Sequence, residues 1–258
     1  MNKANGQSRR GFLARAAVGA STLLLAGCYD LSQKPWVLNL LGGVEGLTRR
    51  AQRLFAGGHA LAPEFSKADI APSFRANGTL RPGTVEYARH AANGFRDWRV
   101  TVDGLVERPL SLSPDDLRRF PSRTQITRHD CVEGWSCIGE WKGVQLARVL
   151  AMAGVKPTAR YVMFHCADPM GDTDDTLYYE SLDLLEATHP QTLLAYELNG
   201  TPLPVQNGAP VRLRAERQLG YKMAKYIVRI VLVDDFRGVR GGKGGYWEDQ
   251  GYAWYAGI

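Results

Sequence analysis

The chain has 258 residues, 45% of them hydrophobic and 22% charged. That is enough for one large domain or two small ones, and it excludes a mainly disordered, collagen-like or coiled-coil protein. The formal net charge is +6, but Lys3, Arg9, Arg10 and Arg15 supply four of those charges ahead of Cys28, with no acid among them. The basicity therefore belongs to the N-terminus and gives no argument for a nucleic-acid partner.

Residues 1–10 are polar and positive, residues 11–27 are small and apolar apart from Arg15, and Cys28 follows. This order reads as an export signal. The apolar stretch is shorter than the roughly 20 residues of a membrane-spanning helix. Ser8-Arg9-Arg10-Gly11-Phe12-Leu13 resembles a twin-arginine signal, and Leu25-Ala26-Gly27-Cys28 resembles a lipoprotein signal-peptidase box. Together they imply removal of residues 1–27, lipidation of Cys28, and a lipid-anchored position on the periplasmic side of a cell envelope.

Residues 28–73 read as a tether and N-terminal arm, and residues 74–258 as the folded domain. Val44, Leu47, Ala51 and Leu54 recur at helical spacing, which predicts a short amphipathic helix. Pro63, Pro72, Gly78 and Pro82 predict an irregular arm over residues 59–84, packed through Phe65, Ile70 and Phe74. Regular structure is expected from Trp98, with an alternating strand ending at Gly104. Ser113-Pro114-Asp115-Asp116 starts a helix, with a cap, a proline and acids in the first turn. Residues 123–130 read as a strand leading to Cys131, and Gln145–Ala153 as a helix ended by Gly154. Arg160–Cys166 alternates as a strand, Leu182–Ala187 reads as a short helix, and Leu193–Leu198 runs into the turn Asn199-Gly200. Val211–Arg214 alternates again, and Tyr226–Val233 is the most apolar strand, expected at the centre of a sheet. Many short strands with few helices predict an α+β fold with a mixed, curved sheet. The run Gly241-Gly242-Lys243-Gly244-Gly245 lacks P-loop spacing and reads as a mobile loop.

The cysteines are Cys28, Cys131, Cys137 and Cys166, without a C-x-x-C pair, so zinc-ribbon, iron–sulfur and thioredoxin-like centres are poorly supported. Cys131 ends a strand among Arg128, His129, Asp130 and Glu133, followed by Gly134, Trp135 and Ser136. A lone strand cysteine is more often inert core, but this surrounding reads as a shaped loop. A thiolate there is either a nucleophile or a soft metal ligand. Two further clusters, Asn207–Arg212 and Gly220–Lys225, combine glycines with Asn207, Arg212 and Lys222. They read either as solvated loops or as donors for an oxyanion.

Taken together, these motifs resemble the sulfite oxidase family of molybdopterin-dependent oxidoreductases. The pieces that carry the resemblance are Cys131-Val132-Glu133-Gly134-Trp135-Ser136, His189–Ala195, Asn207–Leu213, Leu219–Lys222 and Gly245-Tyr246-Trp247 with Gly251-Tyr252. The resemblance implies molybdenum carried on one molybdopterin, with Cys131 as the protein's sulfur ligand. It implies cofactor contacts from Asn207, Arg212, Gly220, Tyr221 and Lys222, with Asn77 on the arm and Cys166, where exported relatives place a threonine. The chemistry implied is two-electron oxygen-atom transfer, with electrons passed singly to or from a membrane haem protein or a soluble cytochrome. Sulfite-oxidising relatives follow the cysteine with Ala-Gly-Asn-Arg, whereas this chain has Val-Glu-Gly-Trp-Ser, similar to the periplasmic methionine-sulfoxide reductases. The expectation is therefore reduction of a small neutral S-oxide or N-oxide, with sulfite oxidation as the alternative. A metal-free cysteine enzyme using His129 or His165, and a non-catalytic lipoprotein, are the readings outside the family.

Overall fold

The structure, a computed structural model, describes residues 34–55, 60–171 and 176–258. Both motifs that read as an export signal, Cys28 included, lie outside the described residues. The chain divides into two compact units, Met1–Ala51 and Gln52–Ile258. The predicted short amphipathic helix is a 21-residue one, α1 (Pro35–Phe55). Among the described residues, no helix is long and apolar enough to cross a membrane.

The second unit holds two five-stranded sheets. The first runs in the order β2 (Leu110–Leu112), β1 (Val100–Gly104), β10 (Ile227–Val233), β5 (Tyr161–Pro169), β6 (Leu177–Asp183). Its pairs are antiparallel except β1 with β10, so the sheet is mixed. The apolar strand β10 is central, as its composition predicted. The second sheet runs β3 (Ser122–Cys131), β4 (Trp135–Gln145), β7 (Leu193–Leu198), β8 (Thr201–Pro202), with β9 (Arg212–Arg214) also paired to β7. The α+β expectation holds.

Local chemistry explains the boundaries. Ser113 and Asp116 form the reciprocal capping box that starts α3 (Pro114–Arg119). Thr84 caps α2 (Val85–Ala92), a helix the composition did not announce. Gly154 ends α4 (Leu146–Ala153) at φ 71°, a left-handed position that favours glycine. Short helices α5 (Leu184–Ala187) and α6 (Tyr246–Asp249) follow β6 and the glycine run. The residues predicted as helix from Leu182 begin instead as the end of β6. The glycine run is packed: Ser181 Oγ donates to Gly244 O at 2.5 Å. A Cβ on Gly244 would come within 2.7 Å of Trp254.

The main core gathers β1, β5, β9 and β10 side chains around Trp98, whose Nε1 donates to Ile227 O at 3.0 Å. A smaller core of Phe74, Cys137, Trp141, Ala195, Leu198 and Leu203 anchors the arm onto the second sheet. Phe74 meets Trp141 edge-on at 4.9 Å. The arm thus packs, and its next residues are carried to the end of the β3–β4 hairpin.

Candidate functional site

β3 and β4 pair in register from Ser122↔Val144 to Cys131↔Trp135. The turn closes at Gly134, φ 85°, whose N–H donates to Cys131 O at 3.0 Å. Its geometry is fixed by side chains. Ser136 donates to Asp130 at 2.5 Å, Trp135 Nε1 donates to Glu133 at 2.8 Å, and Arg75 lies 4.8 Å over the Trp135 ring. The hairpin tip presents Cys131 to a cavity of about 170 Å³.

Four of the predicted site residues meet on that cavity wall: Cys131, Asn77, Gly220 and Tyr221. The arm brings Asn77 Nδ2 to 3.9 Å from Cys131 Sγ. Gly220 and Tyr221 arrive on a 3₁₀ turn, Gly220–Lys222, stacked against β3. A Cβ on Gly220 would lie 2.5 Å from the His129 ring, so only glycine lets this turn approach. Burial, with Glu133 beside it, holds the Cys131 thiol above its ordinary pKa. Cys131 is thus no ready nucleophile on its own, and a bound metal is what would draw its proton off.

Asn207 and Arg212 lie behind this turn rather than on the wall. Arg212 is 1% exposed, donates to Asn207 O at 2.9 Å and Met223 O at 3.3 Å, and sits 5.0 Å over Trp141. Among the described residues no carboxylate forms an ion pair with Arg212, whereas neighbouring Arg214 is paired with Glu216 at 2.5 Å. Burial and the adjacent Arg214 bring the Arg212 pKa down to about 9. Arg212 Nε, Asn207 Nδ2 and His129 Nε2 are all buried without a hydrogen-bond partner among the described residues. Arg214 Nη1 lies 3.0 Å from His129 Nδ1, so Nδ1 accepts and Nε2 carries the proton. Burial, then Arg214, Arg212 and Lys225, hold His129 neutral, well below its ordinary pKa.

Lys222 and Cys166 are placed differently. Lys222 Nζ is buried between Glu180 and Glu248, 2.5 Å from the latter, and does not reach the cavity. Burial opposes its charge, and the two carboxylates outweigh burial and raise its pKa. Cys166 is fully buried and lines a second hollow with Tyr87, His90 and Trp98. Burial, then Asp168 and Glu180, push its thiol well above the ordinary range. Lys225 is the cation on the wall, a residue without an assigned role in the sequence reading, which picked Lys222 from the same cluster. It donates to Asn77 O at 2.7 Å, to Gln206 O at 3.2 Å and to Thr79 O, and so clamps the arm. Sequence reasoning also missed Asp168 and Met170 on the wall, because a single charge or thioether carries no motif, whereas Trp247 arrives there from the Gly245-Tyr246-Trp247 piece already singled out.

The donor set fits a molybdopterin. A soft sulfur faces the cavity, while behind it, among the described residues, sit a guanidinium without an ion-pair partner and three unsatisfied N–H donors, one of them that guanidinium's Nε, as an anionic, acceptor-rich ligand requires.

The comparisons agree. The family model described as "Oxidoreductase molybdopterin binding domain" matches residues 87–238, more than half of the chain. The chain belongs to this family, the molybdopterin-dependent oxidoreductases of the sulfite oxidase type. It is an oxidoreductase whose cofactor is molybdenum with molybdopterin. It is 35% identical to a putative protein-methionine-sulfoxide reductase subunit, YedZ1, of Azospira oryzae, over 97% of this chain and 88% of that protein. It is 40% identical to the protein-methionine-sulfoxide reductase catalytic subunit MsrP of Ralstonia nicotianae, over 61% of this chain and 46% of that one. For MsrP of Campylobacter jejuni the values are 38%, 52% and 48%. The matches thus span about half the length of each MsrP. The sulfane dehydrogenase SoxCD of Paracoccus pantotrophus is 27% identical, with a TM-score of 0.49 over 54% of this chain and 39% of that one.

Proposed function

We propose that this protein reduces a small neutral S-oxide, on the periplasmic side of the envelope, with electrons from a haem protein. The observation that carries the reading is the charge of the cavity wall. Glu133 stands beside Cys131, no arginine lines the cavity among the described residues, and Lys225 is committed to three carbonyls. On that wall, among the described residues, an anion such as sulfite meets a carboxylate and no free cation, Arg75 standing outside it over the Trp135 ring, whereas a neutral S-oxide pays no such penalty. Met170, Met223, Trp247 and Tyr252 offer apolar and aromatic surface to its carbon substituents. The names of the MsrP relatives support the same direction.

In this reading Cys131 ligates the metal, and Arg212 and Asn207 hold the anionic part of the pterin with their unsatisfied donors. The backbone at Gly220 and Tyr221 closes over it, and Asn77 is held at Cys131 by Lys225. Lys222 supports the 3₁₀ turn from behind and leaves the phosphate to Arg212, and Cys166 packs beneath the site. When bound, the molybdenum cofactor supplies the two-electron exchange and handles the oxygen atom. The chain's residues orient the substrate, keep the sulfur ligand in place and exclude anions. The twin-arginine sequence supports export after cofactor loading, and the box at Cys28 supports a lipid anchor.

The test uses purified, molybdenum-loaded protein, with methionine sulfoxide and reduced viologen in one assay and sulfite with an oxidised cytochrome in the other. S-oxide turnover well above sulfite turnover is expected. Sulfite oxidation as the faster reaction contradicts the proposal.

A further inference from the structure

The cavity wall carries a carboxyl group that the account above does not use. Asp168 lies near the end of β5 on the same face as Cys166, and reaches the wall of the Cys131 cavity. It is 3% exposed, and its Oδ1 has no hydrogen-bond partner among the described residues. Burial pushes its pKa up to about 6, against the opposing pull of Lys225 and a hydrogen bond with Thr79.

Its neighbours come from every side. Lys225 precedes β10, Thr79 belongs to the arm, Tyr87 to α2, Tyr178 to β6, Tyr226 abuts β10, and Cys166 shares its strand. Burial raises the three phenols and the Cys166 thiol, so all four stay neutral across the physiological range. Lys225, lowered to about 7 by burial and Arg212, has its N–H donors engaged with three carbonyls. Glu133 is exposed at the hairpin tip, where Trp135 holds it. Asp168 is thus a buried acid with an open oxygen on the wall that holds Cys131.

Reduction of an S-oxide needs such a group. The S–O bond breaks, two electrons reduce the sulfur to a thioether, and the oxygen leaves with two protons as water. The electrons come through the molybdenum cofactor from a one-electron donor, a haem protein in the cell or reduced viologen in an assay. We propose that Asp168 is a proton donor of this reaction: its carboxyl O–H passes a proton to the substrate oxygen as the S–O bond breaks, and the carboxylate is reprotonated from solvent. The second proton arrives from solvent through the cavity mouth, where Val132 and Tyr252 are exposed. The inference rests on the S-oxide reading above.

The test compares loaded wild type with Asp168→Asn and Asp168→Glu. It measures kcat/KM for methionine sulfoxide with reduced viologen against pH, molybdenum content, and the infrared titration of carboxyl groups. Wild type is expected to lose kcat/KM above a pKa near 6, alongside a protonated-carboxyl band that fades over the same range. Asp168→Asn is expected to keep its molybdenum, lose that band and the pH step, and fall roughly 100-fold at the acidic end, as for loss of a general acid. Asp168→Glu is expected to restore the pH step. An unchanged pH step in Asp168→Asn, no titrating band in wild type, or loss of molybdenum from Asp168→Asn overturns the assignment while leaving the reductase reading standing. Loaded wild type with no S-oxide turnover overturns the reductase reading, and the proton donor with it.

Discussion

Arg212 and Lys222 are both buried cations that the sequence placed in one class, as donors for a phosphate, yet the fold treats them in opposite ways. Lys222 is enclosed by two carboxylates of its own chain, Glu180 and Glu248. Among the described residues Arg212 has no carboxylate of its own, and its Nε, with Asn207 Nδ2 beside it, is left unsatisfied. A saturated buried cation cannot be removed without stranding its carboxylates, whereas an unsaturated one costs the empty fold free energy and is retained where a ligand completes it. By that criterion the proposed function assigns Arg212 to the cofactor and Lys222 to the scaffold.

The largest expected effect lies at the metal rather than at either cation. Cys131→Ser leaves a folded protein that retains pterin and loses measurable S-oxide turnover, read by circular dichroism, pterin release and activity. Next comes Lys222→Met, which strands Glu180 and Glu248 together in the core. It should cost about 3–5 kcal/mol at neutral pH, with or without cofactor, by denaturant titration. That loss should shrink in acid. Glu180 is held well above its ordinary pKa, chiefly by burial, so in the variant protonation as pH falls relieves the folded state first. Arg212→Met breaks the comparison most sharply. The cofactor-free fold should lose less than about 2 kcal/mol, since two carbonyl contacts and the stacking on Trp141 go but no ion pair does, while pterin content falls roughly tenfold or more. Equal destabilisation by the two variants, with pterin content unchanged, would erase the distinction.

The smallest effect concerns His129. Its folded pKa is depressed by burial and by Arg214, Arg212 and Lys225. The unfolded chain therefore takes up a proton first, and stability contributed by neutral His129 is present above about pH 6.5 and lost as pH falls below it, by up to about 1.4 kcal/mol per pH unit. His129→Gln should flatten that slope between about pH 5 and 6.5 in thermal or denaturant melts.

What the sequence made legible follows the same physics. Strands with one buried face, such as β1 and β10, announce themselves by alternation or by a continuous apolar run, and the cap at Ser113 and stop at Gly154 are local chemistry. β4 was not legible, because two of its inward positions are Gly139 and Gly143, which leave no side chain to mark the period. A Cβ on Gly143 would lie 2.3 Å from Leu194 O, so the close approach of β7 requires the blank. β6 hid for another reason. Its buried run includes Glu180 and Ser181, polar residues whose partners lie far along the chain in Lys222 and Gly244. At the site, Cys131, Asn77 and the Gly220 turn were readable as motifs. Which of Lys222 and Lys225 faces the cavity was not, since three residues on a 3₁₀ turn decide it and only the fold supplies Glu180 and Glu248.

X-ray absorption at the molybdenum edge, on loaded wild type and on Cys131→Ser, counts the sulfur atoms bound to the metal. Cys131 as the protein's sulfur ligand predicts one sulfur neighbour fewer around the metal in the variant. The same sulfur count in both proteins would contradict it.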